Sequence, residues 1–224
     1  MISNGMATRV FLVRHGATVL SAEDRYAGSA DVALSDEGRA QAEALRARLA
    51  GESIAAVYAS PMSRTRDTAA LIVADRGLDV VTVAELRETD HGHWEGKTRE
   101  EIRAAFPDEY TRWERDPFTF APSRGETGLQ VLARALPAFL TIVNRHPDSA
   151  VLVVSHKATI RLVIGELLGV ELRGYRDRLD MSPCGLNILD VKSGAEARLV
   201  LFNDVSHYQT VPGPTGKRLS PWWA

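Results

Sequence analysis

Two hydrophobic periods alternate along the chain. Short apolar runs lie at residues 10–13, 54–59, 80–83, 151–154, 186–191 and 199–202. Their length and β-branched content predict strands, several of them buried on both faces. Helical spacing fills the gaps. Ser35 is placed as an N-cap ahead of Ala42, Leu45 and Leu49, and a second helix is expected over 63–75. Thr98-x-x-Glu101 forms a capping box before Ile102, Ala105 and Phe106, with Pro107 expected to end that element. A second box, Thr127-x-x-Gln130, precedes a stripe of Leu129, Leu132, Ala133, Leu136, Leu140 and Val143, in which Pro137 predicts a kink. Ile160, Val163, Ile164, Leu167 and Leu168 form the last stripe, closed by Gly169 at C′.

Strands alternating with helices predict an α/β fold, a three-layer α/β/α sandwich around a mostly parallel sheet. One domain is expected over 1–224, with no repeat or interior linker. Residues 88–128 carry helical signals and no clear strand, which reads as a short helical cap inserted over one end of the sheet. From 207 to 224, Pro212, Pro214 and Pro221 without periodicity predict an extended tail; Trp222-Trp223 covering a pocket is weighed there against a disordered end.

Composition narrows the function classes without naming one. Lys and Arg number 27 against 29 Asp and Glu, a net charge of −2. No basic surplus exists to bind a nucleic-acid backbone, so no nucleic-acid partner is expected. No apolar stretch approaches the roughly 20 residues that span a bilayer, so no membrane partner is expected either. The lone cysteine, Cys184, excludes an internal disulfide and is assigned no chemistry. The start lacks a basic segment followed by an apolar core, so no signal peptide is expected and the cytoplasm is the expected compartment; Met6 is an alternative start. A homodimer is the commonest assembly open to such a chain.

The chemistry concentrates at strand ends, where open α/β sheets bind their ligands. The first strand delivers Arg14 and His15, the second Ser60 with Arg64 four residues on, the third Leu86-Arg87-Glu88, and the fourth Ser155 and His156. Two histidines, two arginines and a carboxylate thus converge on one edge. Guanidinium forks suit a dianionic phosphate. Neutral imidazole is a good nucleophile near pH 7. A carboxylic acid can protonate an alkoxide leaving group, and arginines on the phosphoryl oxygens remove the need for a metal. Arg87 reads as an ion-pair residue.

The same residues carry a resemblance. Leu12-Val-Arg-His-Gly-Ala-Thr18, Ser60-Pro-Met-Ser-Arg64, Glu85-Leu-Arg-Glu88, Gly92-His-Trp-Glu-Gly96, Gly125-Glu126 and Val154-Ser-His156 occur in the order that resembles the histidine phosphatase superfamily, which includes the cofactor-dependent phosphoglycerate mutases. The ordered set covers roughly residues 8 to 170, and Asp204-Val-Ser-His207 is similar to a late motif of some members. The resemblance implies a phosphoglycerate mutase-like fold and these catalytic roles: His15 as transient phosphohistidine, Arg14, Arg64 and His156 on the phosphoryl group, and Glu88 as acid and then base. Ser21, Gly28, His91, Arg124 and Lys157 are the candidate substrate-binding residues.

Departures from the family pattern sharpen this. His91 stands where most relatives have a larger apolar residue, and it either reads a substrate carboxylate or caps the backbone. Lys157 follows the second histidine where a small residue is common, and it contacts a second substrate anion or points to solvent. Ser21 and Ala27 shorten the hydrogen-bonding reach of their loop. His91-x-His93 lacks a third ligand, so neither metal nor cofactor is expected. The short cap favours water as acceptor: the expected function is a metal-independent phosphatase acting on a small phosphorylated metabolite. The alternative is a phosphoglycerate mutase, and a non-catalytic binder is disfavoured because all five core residues are present.

Overall fold

A computed structural model describes residues 7–20, 25–192 and 195–209. Ser21, the alternative start at Met6 and the tail from 210, with its prolines and Trp222-Trp223, lie outside the described residues.

Among the described residues six strands form one sheet: β1 (Thr8–Arg14), β2 (Ala56–Ala59), β3 (Val80–Thr82), β4 (Ala150–Ser155), β5 (Leu186–Val191) and β6 (Ala197–Asp204), in spatial order β3-β2-β4-β1-β5-β6. The pairs β1/β4, β2/β4 and β2/β3 are parallel; β5 runs antiparallel to both β1 and β6. The sheet is therefore mixed, with β5 the one reversed strand. In β1, Val10 and Leu12 face one apolar cluster while Phe11 and Val13 face another. The continuous apolar reading of β1 and β4 follows from burial on both sides.

Helices cover each face. On the Phe11 side lie α1 (Asp36–Arg48) and α2 (Ser63–Ile72). Ser35 caps α1 as expected, accepting from the Gly38 N–H, while α2 stops three residues short of the expected 75. Between β3 and β4 come α3 (Arg99–Ala105), α4 (Pro107–Arg115) and α5 (Gly128–Arg145); α6 (Lys157–Leu167) and α7 (Tyr175–Arg178) follow β4. Both capping boxes are formed. Pro107 does more than end α3: it opens α4 at the first helical position, where its missing N–H has no partner to lose. Ala105 is exposed, so the inner face of α3 is narrower than its spacing suggests.

The α5 face also differs from expectation. Val131, Ala135, Phe139 and Ile142 are buried with Leu132 and Val143, whereas Leu129 is 51% exposed and Ala133 is exposed. The helix packs against both the sheet and α6, so its apolar arc is wide and the count of leucines favoured the wrong edge of it. The helix α5 continues through Pro137. At the end of α6, Gly169 takes a φ of 68° at C′. The Gly169 and Val170 N–H groups bond back to Glu166 and Gly165, the two bonds of a Schellman motif.

Residues 92–115 build a small core of their own from Trp94, Ile102, Tyr110 and Trp113, with Tyr26, Phe106 and Phe120 against it. Among the described residues no helix is long and apolar enough to cross a membrane.

Candidate active site

Strand register brings the histidines together. Arg14 pairs with Ser155 across β1 and β4, so the next residues, His15 and His156, leave two adjacent parallel strands side by side. Their ring centroids lie 5.2 Å apart, edge to face. Ala59 pairs with Val154, which sets Ser60 beside them at the end of β2.

His15 is 7% exposed. Its Nδ1 lies 2.8 Å from the Gly16 carbonyl. A carbonyl only accepts, so Nδ1 carries the proton and Nε2 holds the lone pair. Burial, then Arg14 and Arg64, push the imidazole well below its ordinary 6.5. The ring is therefore neutral at pH 7, with the Nε2 lone pair unprotonated.

His156 is fully buried and has the opposite tautomer. Arg64 Nε donates to Nδ1 at 3.3 Å, and Nε2 donates to Ser60 Oγ at 2.8 Å. Burial, then His15, Arg64 and Arg14, keep this ring neutral as well. Both nitrogens are thus engaged by the protein, one by Arg64 and the other by Ser60.

Arg64, 2% exposed, also gathers a loop. Nη1 donates to the Ala30 carbonyl at 2.6 Å, and Nη2 to the Gly28 and Ala27 carbonyls at 2.9 and 3.3 Å. The loop's own N–H groups go to Glu95, whose carboxylate accepts from Gly28 at 3.0 Å, Ser29 at 3.1 Å and His91 at 3.0 Å. Gly28 is obligatory: a Cβ there would meet the Thr89 carbonyl oxygen at 1.8 Å. Gly28 lines the cleft, but its N–H is committed to Glu95.

Glu88 sits against the start of α6. Its carboxylate accepts from the N–H groups of Ala158 at 3.1 Å and Thr159 at 3.3 Å, and from its neighbour Thr89 at 3.0 Å. Arg134 holds the segment below it, donating to the carbonyls of Glu85, Arg87 and Glu88. Glu126 in turn fixes Arg134 at 2.8 Å and takes the expected ion pair from Arg87 at 3.2 Å. Burial pushes the Glu126 carboxyl up, but Arg134, the Asp90 N–H and Arg87 outweigh it and hold it below its ordinary value.

These groups open into a cleft of about 400 Å³ lined by Arg14, His15, Arg64, Glu88, His91 and Lys157 among others. Arg25, Arg99, Arg161 and Arg176 also line it, so the described wall carries seven cationic side chains against one carboxylate. A chain of net charge −2 thus hides a strongly positive cavity. Lys157 begins α6, and burial, then Arg14 and Arg161, bring its ammonium down to about 7.

His91 faces the cleft with its ring 4.8 Å from Tyr26, and its Nδ1 is buried without a hydrogen-bond partner. His93 points elsewhere, bonding Ser123 and Glu109, so the two do not converge on a shared ligand. Arg124 is exposed in a turn at φ 62° and is absent from the cleft lining; the expectation that it contacts substrate is not supported by its placement. Sequence reasoning missed the organising parts played by Glu95, Arg134 and Arg161. For Glu95 the carboxylate between Gly92 and Gly96 was a usable signal.

A sheet that ends in a neutral histidine flanked by buried guanidiniums defines an α/β enzyme built for phosphate chemistry. The family model described as histidine phosphatase superfamily, branch 1, matches residues 10–205, and the chain belongs to that superfamily. It is 34% identical over 167 residues to phosphoserine phosphatase 1 of Hydrogenobacter thermophilus, covering 75% of this chain and 79% of that one. To the adenosylcobalamin/alpha-ribazole phosphatase of Escherichia coli it is 31% identical, covering 72% and 80%. A bifunctional protein of Mycobacterium tuberculosis is 36% identical, and there the chain spans 56% of the relative's length. Among solved structures, Bacillus stearothermophilus YhfR superposes with a TM-score of 0.85 at 33% identity, covering 90% of this chain and 99% of that one. The mycobacterial glucosyl-3-phosphoglycerate phosphatase in complex with VO3 gives 0.79 at 29% identity, covering 87% and 98%. The chain is a phosphatase, a phosphoric monoester hydrolase.

Proposed function

We propose that the chain hydrolyses small phosphate monoesters by way of a phosphohistidine on His15, without a metal ion. The observation that carries this reading is the His15 tautomer: Nδ1–H is fixed on the Gly16 carbonyl, which leaves the Nε2 lone pair for attack. Nε2 forms a bond to phosphorus in line as the ester P–O bond breaks. Glu88 delivers a proton to the departing oxygen. Water then attacks the phosphohistidine with Glu88 accepting its proton, the P–N bond breaks, and phosphate leaves. Arg14 and Arg64 balance the charge on the phosphoryl oxygens, and His156 steadies Arg64 for that task. The work is positioning and charge stabilisation, with the acid contributing on the order of 10²–10⁴ in rate.

The test is a panel of phosphate esters assayed with and without EDTA, beside a bisphosphoglycerate-primed mutase assay. The reading expects phosphate release insensitive to EDTA. Mutase turnover well above phosphate release, or loss of activity restored by added metal, would overturn it.

A further inference from the structure

We propose that Lys157 and Arg161 form a second anion subsite in the same cleft, so that the preferred substrate is a phosphate monoester carrying a second anionic group. The inference rests on the phosphatase reading and adds the substrate class to it. Positions 157 and 161 are one helical turn apart on α6, so both side chains share one face, and both line the cleft.

Arg161 carries the argument. It is 7% exposed, yet its Nε has no hydrogen-bond partner. Among the described residues its one ion pair is to Asp180 at 3.8 Å, beyond hydrogen-bond reach, and the Asp180 side chain is 79% exposed. A guanidinium is not buried for the sake of so loose a surface contact. Arg14 shows the same vacancy, with Nη1 on the Met181 carbonyl and a buried Nε left unbonded.

The charges also sort into two groups. Arg14 and Arg64 press on His15, whereas Arg14 presses on both Lys157 and Arg161. Arg14, His15, Lys157 and Arg161 all line the one cleft, and Arg14 acts electrostatically on the other three. Three cations crowded with Asp180 and Glu88 as nearby opposite charges repel one another, and burial, then Arg14, already lower Arg161 to about 10. An anion held by the Arg161 fork and the Lys157 ammonium relieves that repulsion and supplies the missing acceptors. Carboxylate and phosphate both meet the requirement.

Three matched probes separate the outcomes: propyl phosphate, 3-phosphooxypropanoate and propane-1,3-diol bisphosphate. Wild-type enzyme is expected to favour at least one probe with a second anionic group over propyl phosphate by about tenfold or more in KM. That preference collapses toward one in Lys157→Met and in Arg161→Met, and Arg161→Lys restores part of it. The same preference is read as calorimetric Kd on His15→Ala protein, which binds without turning over. Failure of hydrolysis with the binding preference intact would count against the phosphatase reading alone. Equal affinity of wild type for all three probes, or equal weakening of all three by both variants, overturns the subsite. If Arg161→Met does not fold, Lys157→Met and Arg161→Lys decide it.

Discussion

Glu95 is the residue on which the loop and the catalytic pocket both hang. Its Oε1 accepts the N–H groups of Gly28, Ser29 and His91, and Oε2 accepts a second contact from Gly28. The loop thus held supplies three carbonyls to Arg64. Glu95→Ala removes three charge-assisted bonds. Each such bond contributes about 1.5–3 kcal/mol when desolvated, but the Ser29 N–H is exposed and water replaces that one. Allowing for partial exposure of the rest, the loss is about 2–4 kcal/mol, a fall in Tm on the order of 5–15 °C for a chain of this size. Arg64 loses its anchors as well, and a displacement on the order of 1 Å there costs kcat/KM on the order of 10²-fold. Glu95→Gln keeps one acceptor oxygen but turns an amide NH₂ toward the Gly28 N–H, so about half the stability loss is expected. Calorimetry and steady-state kinetics on the three proteins check this. An Ala variant with unchanged Tm and unchanged kcat/KM refutes the reasoning.

Gly28→Ala drives a methyl into the Thr89 carbonyl, a backbone atom that cannot swing away, so a stability loss of about 1–3 kcal/mol and reduced activity are expected in the same two assays. Glu88→Gln should slow alkyl phosphates far more than p-nitrophenyl phosphate, whose leaving group needs no proton; equal losses on both would remove Glu88 from the acid role. Both buried histidines are held neutral below their ordinary 6.5. The acid limb of kcat/KM that belongs to His15 therefore lies below pH 6.5, and a limb at or above 6.5 that is unchanged between esters of different phosphate acidity contradicts the assignment. Unfolding returns both rings to ordinary values, so the unfolded chain takes up protons that the folded one refuses. Stability contributed by the pair is present above 6.5 and is lost as pH falls toward their folded values, read as Tm against pH.

The site core was legible because its residues follow strand ends, and parallel register converts sequence position into neighbourhood. His15 and His156 are 141 positions apart in the chain, yet both sit one residue past a paired strand position. The capping boxes at Thr98 and Thr127 were legible because a cap is a local bond. What stayed hidden is nonlocal. The glycines around Glu95 mark the carboxylate but not its distant targets, the N–H groups of Gly28 and Ser29, and Arg134 reads as one more solvated helix residue until its target carbonyls at 85, 87 and 88 are in place. The α5 stripe was misjudged at Leu129 because a helix buried against two partners has no single apolar edge to count. Arg124 carries a charge near the cap, but it is exposed and is not among the residues that line the cleft.

The central claim is covalent: His15 carries the phosphoryl group. A single-turnover reaction with ³²P-labelled ester, quenched in alkali and mapped by peptide, tests it most directly, because phosphohistidine survives alkali and is lost in acid. The account predicts transient label on His15 that forms and decays at rates consistent with turnover, and no label in His15→Ala. Phosphate release with no labelled protein at any time, or label retained in His15→Ala, would contradict it.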